Sequence, residues 1–515
     1  MNSTKKINRK ARFSQVTALL GDGLVNKLTR IRSHRKHSIY LTGGTVRDLL
    51  MDRLPVDIDL TVEKDAKGWA AEFAKMTGGT LVPLGRDEDA ARVVLQGRDI
   101  DFSSFREGAA TIDEELTKRD ITINSLAVFL QDVLNKDIVS PPAELEIIDP
   151  AGGLDDIEKK CIRATSRYSF RSDPLRMLRV FRFAATLGFT VENKTRDMVE
   201  HQREWISRSA SERVAYELEL IMRSNRAYHS FKELAAIELL FDILPELKPG
   251  VGMEQPSSHH LDVFDHSLAT LHNMELLLET PGRFFPANGE EMEQYVHAGH
   301  HRVLLKWAAF FHDLGKPSTI AIDEDRNGRI TFYNHDQAGV ELVRAIARRL
   351  HWSRGDENVV ADLVGFHMRP FFLSNEQRKG ELSVKACLRL LRTVGTALPG
   401  LFLVSMADAI AGQGINRPAE IEQDVAALFR HLEHIREEYM EPVRSRPPLL
   451  TGKDLIDELK LEPGPIFREI LDLIEEEHMA NNICSRKEAL DLARNHIKKS
   501  RESNNRDSSF SDADI

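Results

Sequence analysis

The fold of this chain is decided by two neighbouring stretches, SIYLTGGTVRDLL (residues 38–50) and VDIDLTV (residues 56–62). The first predicts a strand that runs into Gly43 and Gly44, followed at once by a helix. Glycines let a phosphate approach the backbone closely, and the free N–H groups at a helix start favour an anion. Arg47, one turn into the helix, can reach a phosphate oxygen. A glycine pair before a helix is more often a plain turn, so this stretch alone is a weak signal.

In the second stretch, Asp57 and Asp59 alternate with Ile58 and Leu60. On a strand both carboxylates point to one face, about 7 Å apart, while the aliphatic side chains enter the core. Converging carboxylates are costly unless a cation sits between them, although a solvated strand face explains a lone DxD about as well. A third acid, Asp101 in the run RDIDFSSF, lies on another predicted strand and can complete the oxygen set that Mg²⁺ prefers.

Beyond these two stretches, predicted strands alternate with helical stretches up to residue 148, whereas nearly everything after Pro150 has helical periodicity. The predicted strands are SIYLTGG, VDIDLTV, RVVLQGRDIDF, IVS and LEIID, and the helical stretches include GWAAEFAKM and TINSLAVFL. The fold class is therefore α+β, with a mixed-sheet head followed by an all-helical body. We divide the chain into an N-terminal helical extension (1–38), the head (39–150), a helical neck (151–250), a histidine-containing helical domain (251–415), a C-terminal helical region (416–500) and a disordered tail (501–515).

Composition indicates a folded globular protein of several packed units, with 42% hydrophobic and 29% charged residues among 515. The net charge is −10, so basic residues that contact nucleic acid must be gathered locally. Three widely separated cysteines form no CxxC pair, which argues against a disulfide framework and a thiolate zinc site. The N-terminus lacks an apolar signal segment and no uninterrupted apolar stretch of about 18 residues occurs, so we expect a cytoplasmic protein without a membrane partner.

A second pattern occurs in the run DPLRMLRVFRF, where Asp173, Arg176, Arg179 and Arg182 recur every three residues. This spacing places the four side chains on one broad side of a predicted helix. An amphipathic helix with solvated arginines is the more common explanation of such a pattern. However, a carboxylate beside a guanidinium can also hydrogen-bond the Watson–Crick edge of a base, as a complementary nucleotide would.

Five motifs in order resemble those of class II tRNA nucleotidyltransferases and bacterial poly(A) polymerases, which belong to the polymerase β-type superfamily. The motifs are GGTVRD (43–48), DID (57–59), KRDITINSLAV (118–128), DPAGGLDD (149–156) and SDPLRMLRVFRFAATLGF (172–189). The resemblance implies a polymerase β-type nucleotidyltransferase head. It also implies that the protein extends the 3′ end of tRNA from CTP and ATP without a nucleic-acid template.

The resemblance implies roles for the residues already singled out. Asp57, Asp59 and Asp101 would carry the catalysis, with Asp57 and Asp59 holding Mg²⁺; two such ions would activate the 3′-hydroxyl and stabilise the departing pyrophosphate. Asp173 and Arg176 would select the base, and the later arginines would support base and phosphates. The implied nucleotide-binding residues are Gly43, Gly44, Arg47, Arg119, Asp173, Arg176, Arg179 and Arg182.

Two departures from the family pattern bear on specificity. Position 172 is Ser where the family usually has Glu, which would loosen the orientation of the base-selecting residues. Between SSFR and IDEELTKRD only residues 107–111 intervene, whereas full CCA-adding enzymes have a longer loop that helps to switch the pocket from CTP to ATP. This shortness favours addition of CC over complete CCA. The alternatives are a poly(A) polymerase and a protein that acts mainly as a phosphohydrolase.

In the neck, the run SERVAYELELI resembles the family's neck segment and favours the tRNA nucleotidyltransferase branch. Arg213 and Glu217 are one helical turn apart in it and predict an ion pair. A purely structural role for this pair is as plausible as a functional one. Further on, PLLTGKDLIDELKLEPGPIFREIL (448–471) resembles the C-terminal helical region of the same family, which implies that it holds tRNA.

The body carries the H…HD…D order of HD-domain phosphohydrolases. Imidazole and carboxylate suit a transition metal such as Ni, Mn, Fe or Zn, and six ligands permit two ions. Metal-assisted hydrolysis of a phosphoester, such as a 2′,3′-cyclic or 3′ phosphate, would be the chemistry. A degenerate domain that only binds RNA is the alternative. The six predicted ligands are His266, His312, Asp313, His335, His367 and Asp408.

Overall fold

The computed structural model describes residues 4–7, 10–35, 37–85, 88–106, 108–134, 145–326, 328–480 and 482–508. The chain forms two compact units, Met1–Pro245 and Glu246–Ile515, and each is described by itself.

The first unit contains a mixed eight-stranded sheet with the strand order β1-β8-β7-β2-β3-β6-β5-β4. Strands β3 and β6 are parallel, and every other neighbouring pair in this sheet is antiparallel. The strands are β1 Thr4–Ile7, β2 Ile39–Thr42, β3 Ile58–Val62, β4 Thr80–Pro83, β5 Ala90–Leu95, β6 Arg98–Ser104, β7 Ala127–Phe129 and β8 Leu145–Ile148.

The helices of the head pack around this sheet. In the third of them, Ala66, Trp69, Ala70 and Phe73 are buried at helical spacing, and the helix ends at Gly78 in the left-handed region. The head helices are α1 Lys10–Arg35, α2 Gly43–Leu50, α3 Ala66–Thr77, α4 Ile112–Thr117, α5 Leu130–Leu134 and α6 Gly153–Glu158.

One predicted helix of the head was wrong. The stretch TINSLAVFL forms a 3₁₀ helix at Thr122–Asn124, then strand β7, and only then helix α5. Strand β7 is sandwiched between β2 and β8, and this pairing satisfies its backbone groups. Periodicity cannot separate a short buried strand from a buried helix segment. The predicted strand IVS, residues 138–140, lies outside the described residues.

The neck is helical apart from a two-stranded parallel pair, β9 Cys161–Ile162 and β10 Thr190–Val191. The predicted apolar side of the DPLRMLRVFRF helix is buried, since Leu175, Leu178 and Phe181 are at most 3% exposed. The neck helices are α7 Ser169–Ser172, α8 Leu175–Leu187, α9 Asn193–Gln202, α10 Ser211–Arg223, α11 Ala227–Ala236 and α12 Leu239–Ile243, with a 3₁₀ helix at Arg203–Arg208 and another at Pro245–Gly250.

The second unit is a helical array with one small hairpin, β11 Ala321–Asp323 and β12 Arg329–Thr331. A 3₁₀ helix, Glu324–Arg326, lies between the two strands. The first ten helices are α13 Val263–Glu279, α14 Pro281–Phe284, α15 Gly289–His297, α16 His301–Phe311, α17 Lys316–Thr319, α18 His335–Arg349, α19 Arg354–Phe366, α20 Arg369–Lys379, α21 Val384–Val394 and α22 Leu398–Ala411, with a 3₁₀ helix at Gly395–Ala397. The stretch Val384–Ala411 is apolar and long enough to cross a membrane, but 72% of its most apolar window is buried inside the protein.

The C-terminal helices end the second unit and include a small core of their own around Leu455 and Ile470. The last helix continues to Ser508, so residues 501–508 are helical where a disordered tail is predicted. This segment contains neither Pro nor Gly to stop a helix. Residues 509–515 lie outside the described part. These helices are α23 Ile421–Ile435, α24 Glu441–Arg444, α25 Gly452–Asp457, α26 Pro465–Met479 and α27 Arg486–Ser508, with a π-helical turn at Arg436–Met440.

Candidate active sites

The carboxylates of the head lie on neighbouring parallel strands. Asp59 on β3 is in register with Asp101 on β6, and Asp57 immediately precedes β3. Ile58 and Leu60 are buried on the opposite side of the strand. The alternation therefore places the acids together on one face of the sheet.

The electrostatics of this face suit a cation. Burial raises the pKa of Asp59; Asp101 raises it further, and Arg119 offsets part of the shift. Burial likewise raises the pKa of Asp57, against the opposing charge of Arg92. Raised pKa values mean that the carboxylates lack sufficient positive charge around them. A divalent ion bound between Asp57 and Asp59 would supply that charge.

The glycine pair brings the start of helix α2 against these acids. Gly43 has φ +65°, and a Cβ atom there would lie 2.8 Å from Nη1 of Arg119 and 3.0 Å from Oδ2 of Asp59. The Thr45 hydroxyl accepts a hydrogen bond from the Asp59 amide at 2.7 Å and donates to the Asp57 carbonyl at 3.1 Å. Glycine is favoured at position 43, because the positive φ strains other residues and a side chain there would displace groups of the site.

Two buried arginines lie beside the acids. Arg47 donates to Oδ1 of Asn124 at 2.7 Å. Arg119 donates to the hydroxyls of Thr42 at 3.2 Å and Thr61 at 3.0 Å. Each also has an acidic neighbour, Asp48 at 2.7 Å from Arg47 and Glu115 at 3.5 Å from Arg119. Both arginines line the same cleft as Asp59, where a guanidinium can bind phosphate oxygens.

The residues that are predicted to select the base, Asp173 and Arg176, are held by partners from other elements. Asp173 lies just before helix α8, and its carboxylate accepts from Nη2 of Arg213 at 2.8 Å. The Arg176 guanidinium donates to the carbonyls of Lys118 at 3.0 Å and Ser169 at 3.4 Å.

The predicted pair between Arg213 and Glu217 was wrong. Glu217, which is 2% exposed, accepts from Arg179 at 3.1 Å and from Arg182 at 2.9 Å, while Arg213 turns to Asp173. Arg179 also donates to Asp120 at 2.9 Å. Helix α10 thus pairs with α8 across their interface and not along its own surface.

A cleft of about 790 Å³ brings most of the predicted head residues together. Arg182 and Asp57 are not among the residues that line it; Arg182 instead lies over the ring of Phe183. The predicted residues that do line the cleft are Gly43, Gly44, Arg47, Asp59, Asp101, Arg119, Asp173, Arg176 and Arg179.

Sequence reasoning did not identify Arg92 on β5. Its Nε and Nη2 donate to the two carboxylate oxygens of Asp101 at 2.8 and 2.9 Å, and its Nη1 donates to Asp99. The alternation of Arg92 with the apolar Val93 on a predicted strand could have identified it. If this strand pairs with the strand that carries Asp101, Arg92 lies on the same face as the acids.

The six predicted ligands of the second unit converge in two buried groups. His266, His312 and Asp408 form one, and Asp313, His335 and His367 form the other, with the ligand atoms of each group within 4.8 Å of one another.

Three of the histidine rings have their orientation set by the backbone. Nδ1 lies 2.9 Å from the Ala309 carbonyl in His312, 2.7 Å from that of Phe332 in His335 and 2.7 Å from that of Val364 in His367. In the neutral ring each Nδ1 therefore carries the proton, which leaves a lone pair on Nε2 for a metal.

These lone pairs face one another and the central carboxylate. Nε2 of His335 lies 3.3 Å from Nε2 of His367, and 3.5 Å from Oδ1 of Asp313. Burial lowers the pKa of His367 to about 4, so this ring is neutral at pH 7. Buried acceptors that face each other without a donor require a cation, and imidazole with carboxylate is a donor set for transition metals.

A cleft of about 600 Å³ opens above this cluster. Lys316 donates to Oδ2 of Asp313 at 2.6 Å and to Gln255 at 2.7 Å. His259 lines the same cleft and was not predicted, although it opens the histidine-rich segment. Further lining residues are Arg329, Phe332, Tyr333, Met368, Arg369, Phe371 and Phe372.

Family models match four consecutive parts of the chain. They describe a poly A polymerase head domain at residues 39–163, a probable RNA and SrmB-binding site of polymerase A at 188–250, an HD domain at 263–411, and a putative tRNA nucleotidyltransferase domain 2 at 415–493.

Two curated relatives match nearly the whole chain. An A-adding tRNA nucleotidyltransferase of Deinococcus radiodurans is 31% identical over 87% of this chain and 93% of the relative. A CC-adding tRNA nucleotidyltransferase of Thermus thermophilus is 30% identical over 87% and 91%. A solved complex of a CCA-adding enzyme with ATP aligns with a TM-score of 0.61 over 98% of both chains at 19% identity, which shows a common fold.

Proposed function

This chain belongs to the tRNA nucleotidyltransferase family, and from that premise we propose that it adds two C residues to the 3′ end of tRNA from CTP. The observation that carries the choice of CC is the short connection between β6 and α4. The amide of Arg106 donates to Glu115 at 2.7 Å, and the amide of Ala110 donates to Glu114 at 2.8 Å. Because this connection is short and its backbone is hydrogen-bonded to side chains of helix α4, it cannot extend far enough to reshape the pocket for a second base.

The proposed reaction is attack of the tRNA 3′-hydroxyl on the α-phosphorus of CTP, with pyrophosphate as the leaving group. Asp57 and Asp59 hold Mg²⁺, which when bound offsets the charge that develops on the phosphate oxygens. Arg47 and Arg119 lie beside these acids and orient the triphosphate through charge-assisted hydrogen bonds.

Base selection follows from hydrogen-bond chemistry at Asp173 and Arg176. Cytosine presents an amino donor, which the Asp173 carboxylate accepts, and ring and carbonyl acceptors, which Arg176 satisfies. Uracil presents a carbonyl where cytosine has the amino group, so two acceptors would face each other. Because the two acceptors would repel each other, we expect the site to discriminate against UTP.

A specific observation favours a second candidate, addition of a single A. The Deinococcus relative, which is named A-adding, matches the chain over most of its length. Adenine also presents an amino donor beside a ring acceptor, so Asp173 and Arg176 can pair with it as well.

The deciding experiment incubates the purified protein with Mg²⁺ and tRNA that ends before CCA or after CC, with CTP, ATP or both. Products are resolved at single-nucleotide length. We expect two C additions to the first tRNA and none to the second. Addition of a single A to the tRNA that ends after CC would replace the proposal with A addition. Addition of three residues to the tRNA that ends before CCA would indicate complete CCA addition, and a long ladder of A residues would indicate a poly(A) polymerase. No extension of either tRNA would refute nucleotidyl transfer.

For the second unit we propose hydrolysis of phosphoesters at RNA 3′ ends. The six ligands hold two divalent ions such as Ni, Mn, Fe or Zn, which when bound acidify a water molecule and polarise the phosphate. Lys316 contacts Asp313 on the wall of the cleft, where its ammonium group can meet a phosphate oxygen. Release of phosphate from RNA with a 3′ or 2′,3′-cyclic phosphate tests this activity, and loss of it in His312→Ala is the expected control.

The domain division follows the same proposal. We assign nucleotide transfer to residues 39–150, nucleotide selection to 151–250, phosphoester hydrolysis to 251–415 and tRNA binding to 416–500. We also propose that the protein is cytoplasmic. Deletion of residues 448–500 should raise the KM for tRNA much more than the KM for CTP.

A further inference from the structure

The face of the sheet that carries the proposed Mg²⁺ site holds more acids than that site uses. Asp57 and Asp59 alternate along β3 and its approach, and Asp99 and Asp101 alternate along the neighbouring parallel strand β6. Asp99 and Asp101 are opposite Val94 and Arg92 on β5. Residues two apart on a strand point to the same side, so the four carboxylates form an array on one face of the sheet, with Arg92 at its edge.

Arg92 neutralises two of the four carboxylates in this array. Its guanidinium is bidentate on Asp101, at 2.8 and 2.9 Å, and its remaining nitrogen donates to Asp99. Within the described part of the head, neither Asp57 nor Asp59 takes part in such a guanidinium contact. The array thus divides into two acids on β6 that Arg92 holds and two acids at β3 that it does not hold.

The contact between Arg92 and Asp101 is also accessible. The Arg92 side chain is 31% exposed and the Asp101 side chain 21% exposed. An exposed guanidinium can turn into water without leaving an unpaired charge in the core, so its bonds can be exchanged at low cost. A divalent ion carries twice the charge of a guanidinium and is coordinated directly by carboxylate oxygens.

We propose that Arg92 is a positioning residue that competes with a divalent cation for Asp101. In the metal-free head its guanidinium supplies the positive charge that Asp101 and Asp99 require. When a second cation enters the array, Asp101 exchanges Arg92 for it, and the guanidinium becomes free to meet a phosphate. This inference rests on the proposed nucleotidyl transfer, because it concerns the metal array of that reaction.

The test measures Mn²⁺ binding to the full-length protein by electron paramagnetic resonance, and not turnover. Every variant keeps the histidine cluster, so differences report on the head, and Asp59→Asn identifies the head sites. We expect Arg92→Gln to bind Mn²⁺ about tenfold more tightly at a site that Asp59→Asn weakens, since a carboxylate loses its competing charge-assisted bonds. In Arg92→Gln with Asp101→Asn the gain should disappear.

Arg203 provides a matched control. It also divides its guanidinium between two acids, Asp242 at 2.6 Å and Glu238 at 3.0 Å, but lies in the neck. Arg203→Gln should leave Mn²⁺ affinity unchanged. Arg92→Lys keeps the charge but cannot form the bidentate contact, so it should shift affinity in the same direction by less. This variant keeps the test valid if Arg92→Gln fails to fold.

Each outcome decides the inference. Unchanged or weaker Mn²⁺ binding in both Arg92 variants would show that Arg92 only braces the sheet. If the gain in Mn²⁺ affinity persists when Asp101→Asn is added, loss of the Arg92 charge explains it and release of Asp101 does not, which refutes the inference. If Asp59→Asn binds Mn²⁺ like the natural protein, the proposed metal site itself is refuted and the inference with it. A gain in Arg92→Gln, together with no tRNA extension by the natural protein, would refute the proposed function alone.

Discussion

At the scale of single residues, the carboxylate of Asp173, which we propose selects the base, is oriented by a residue distant in the sequence. Asp173 is bonded to Arg213, which lies 40 residues further along on helix α10. Ser172 stands where the resembled family usually has Glu, and its hydroxyl donates to the Ser169 carbonyl at 3.1 Å, so it does not hold Asp173. Arg213 is the described side chain that performs this orientation.

The first prediction concerns Arg213→Ala. The Arg213 side chain is 54% exposed, so loss of its ion pair with Asp173 costs about 0.2–1 kcal/mol, which corresponds to a decrease in kcat/KM of up to roughly fivefold. We expect kcat/KM for CTP to fall by that factor and misincorporation of UTP to increase, measured by single-nucleotide extension of tRNA. Arg223→Ala is the matched control, since Arg223 lies on the same helix and pairs with Glu219 at the surface. Equal behaviour of the two variants would contradict a role of Arg213 in selection.

The second prediction concerns the buried pair of Asp120 and Arg179. Burial would raise the pKa of Asp120, but the charge and hydrogen bond of Arg179 outweigh it and hold the pKa well below its usual range. A lowered pKa in the folded state contributes stability above the unfolded value of about 3.9, and this stability is lost as pH falls through the folded value.

Asp120→Asn should therefore lower the free energy of unfolding of the first unit by about 1.5–3 kcal/mol at pH 7, since it removes one of the two charge-assisted contacts of Arg179 and leaves the contact with Glu217 in place. The difference from the natural protein should shrink as pH falls below about 4. Urea unfolding at pH 7 and at lower pH measures both effects. A difference that does not change with pH would argue that packing and not charge holds this contact.

At the scale of elements, the histidine cluster depends on a close approach between two segments. The turn after His312 and Asp313 passes the start of helix α18 so closely that a Cβ at Gly315 would lie 2.0 Å from the His335 carbonyl and 2.5 Å from the Gly339 amide. Both contacts are with backbone, which cannot move aside as a flexible side chain can. Gly315 therefore sets the spacing between the ligands of the turn and His335.

The third prediction is that Gly315→Ala separates these ligands. We expect loss of most Mn²⁺ or Ni²⁺ binding at the cluster and a lower unfolding temperature of the second unit, measured by calorimetry with and without metal. Gly355→Ala in helix α19 is the control, because a Cβ there meets only Ser353 Oγ at 3.7 Å. An alanine in that helix should be neutral or stabilise by about 0.5–1 kcal/mol. Normal metal binding in Gly315→Ala would contradict the argument.

At the scale of the whole molecule, the two candidate sites lie in different compact units. The head site uses carboxylates and arginines, whereas the cluster of the second unit uses histidines and two aspartates. Hard oxygen ligands suit Mg²⁺, while imidazole suits transition metals. The two sites should therefore differ in metal preference within one chain.

The fourth prediction is that the two activities can be separated. Asp57→Ala should abolish tRNA extension and retain phosphate release, and His312→Ala should do the reverse. After complete metal removal, Mg²⁺ alone should restore extension, whereas phosphate release should need a transition metal. Loss of both activities in either variant would indicate one coupled site.

The sequence by itself determined the division into a mixed head and a helical body, because the period of the apolar residues sets which side chains share a face. It also indicated most of the acids, arginines and histidines of both candidate sites through motifs that resemble known families, although Arg92 and His259 were not among them. The six ligands of the histidine cluster were all named from their order and spacing, and the structure brings them together.

Only the tertiary structure decided which partner each charged side chain takes. Arg213 pairs with Asp173 although Glu217 is one turn away, and Arg92 covers Asp101, which spacing alone assigns to a metal. Strand β7 likewise follows from pairing with β2 and β8 and not from its own sequence. The physical reason is that long side chains and short apolar runs have several local options of similar free energy. Contacts between segments distant in sequence select among them.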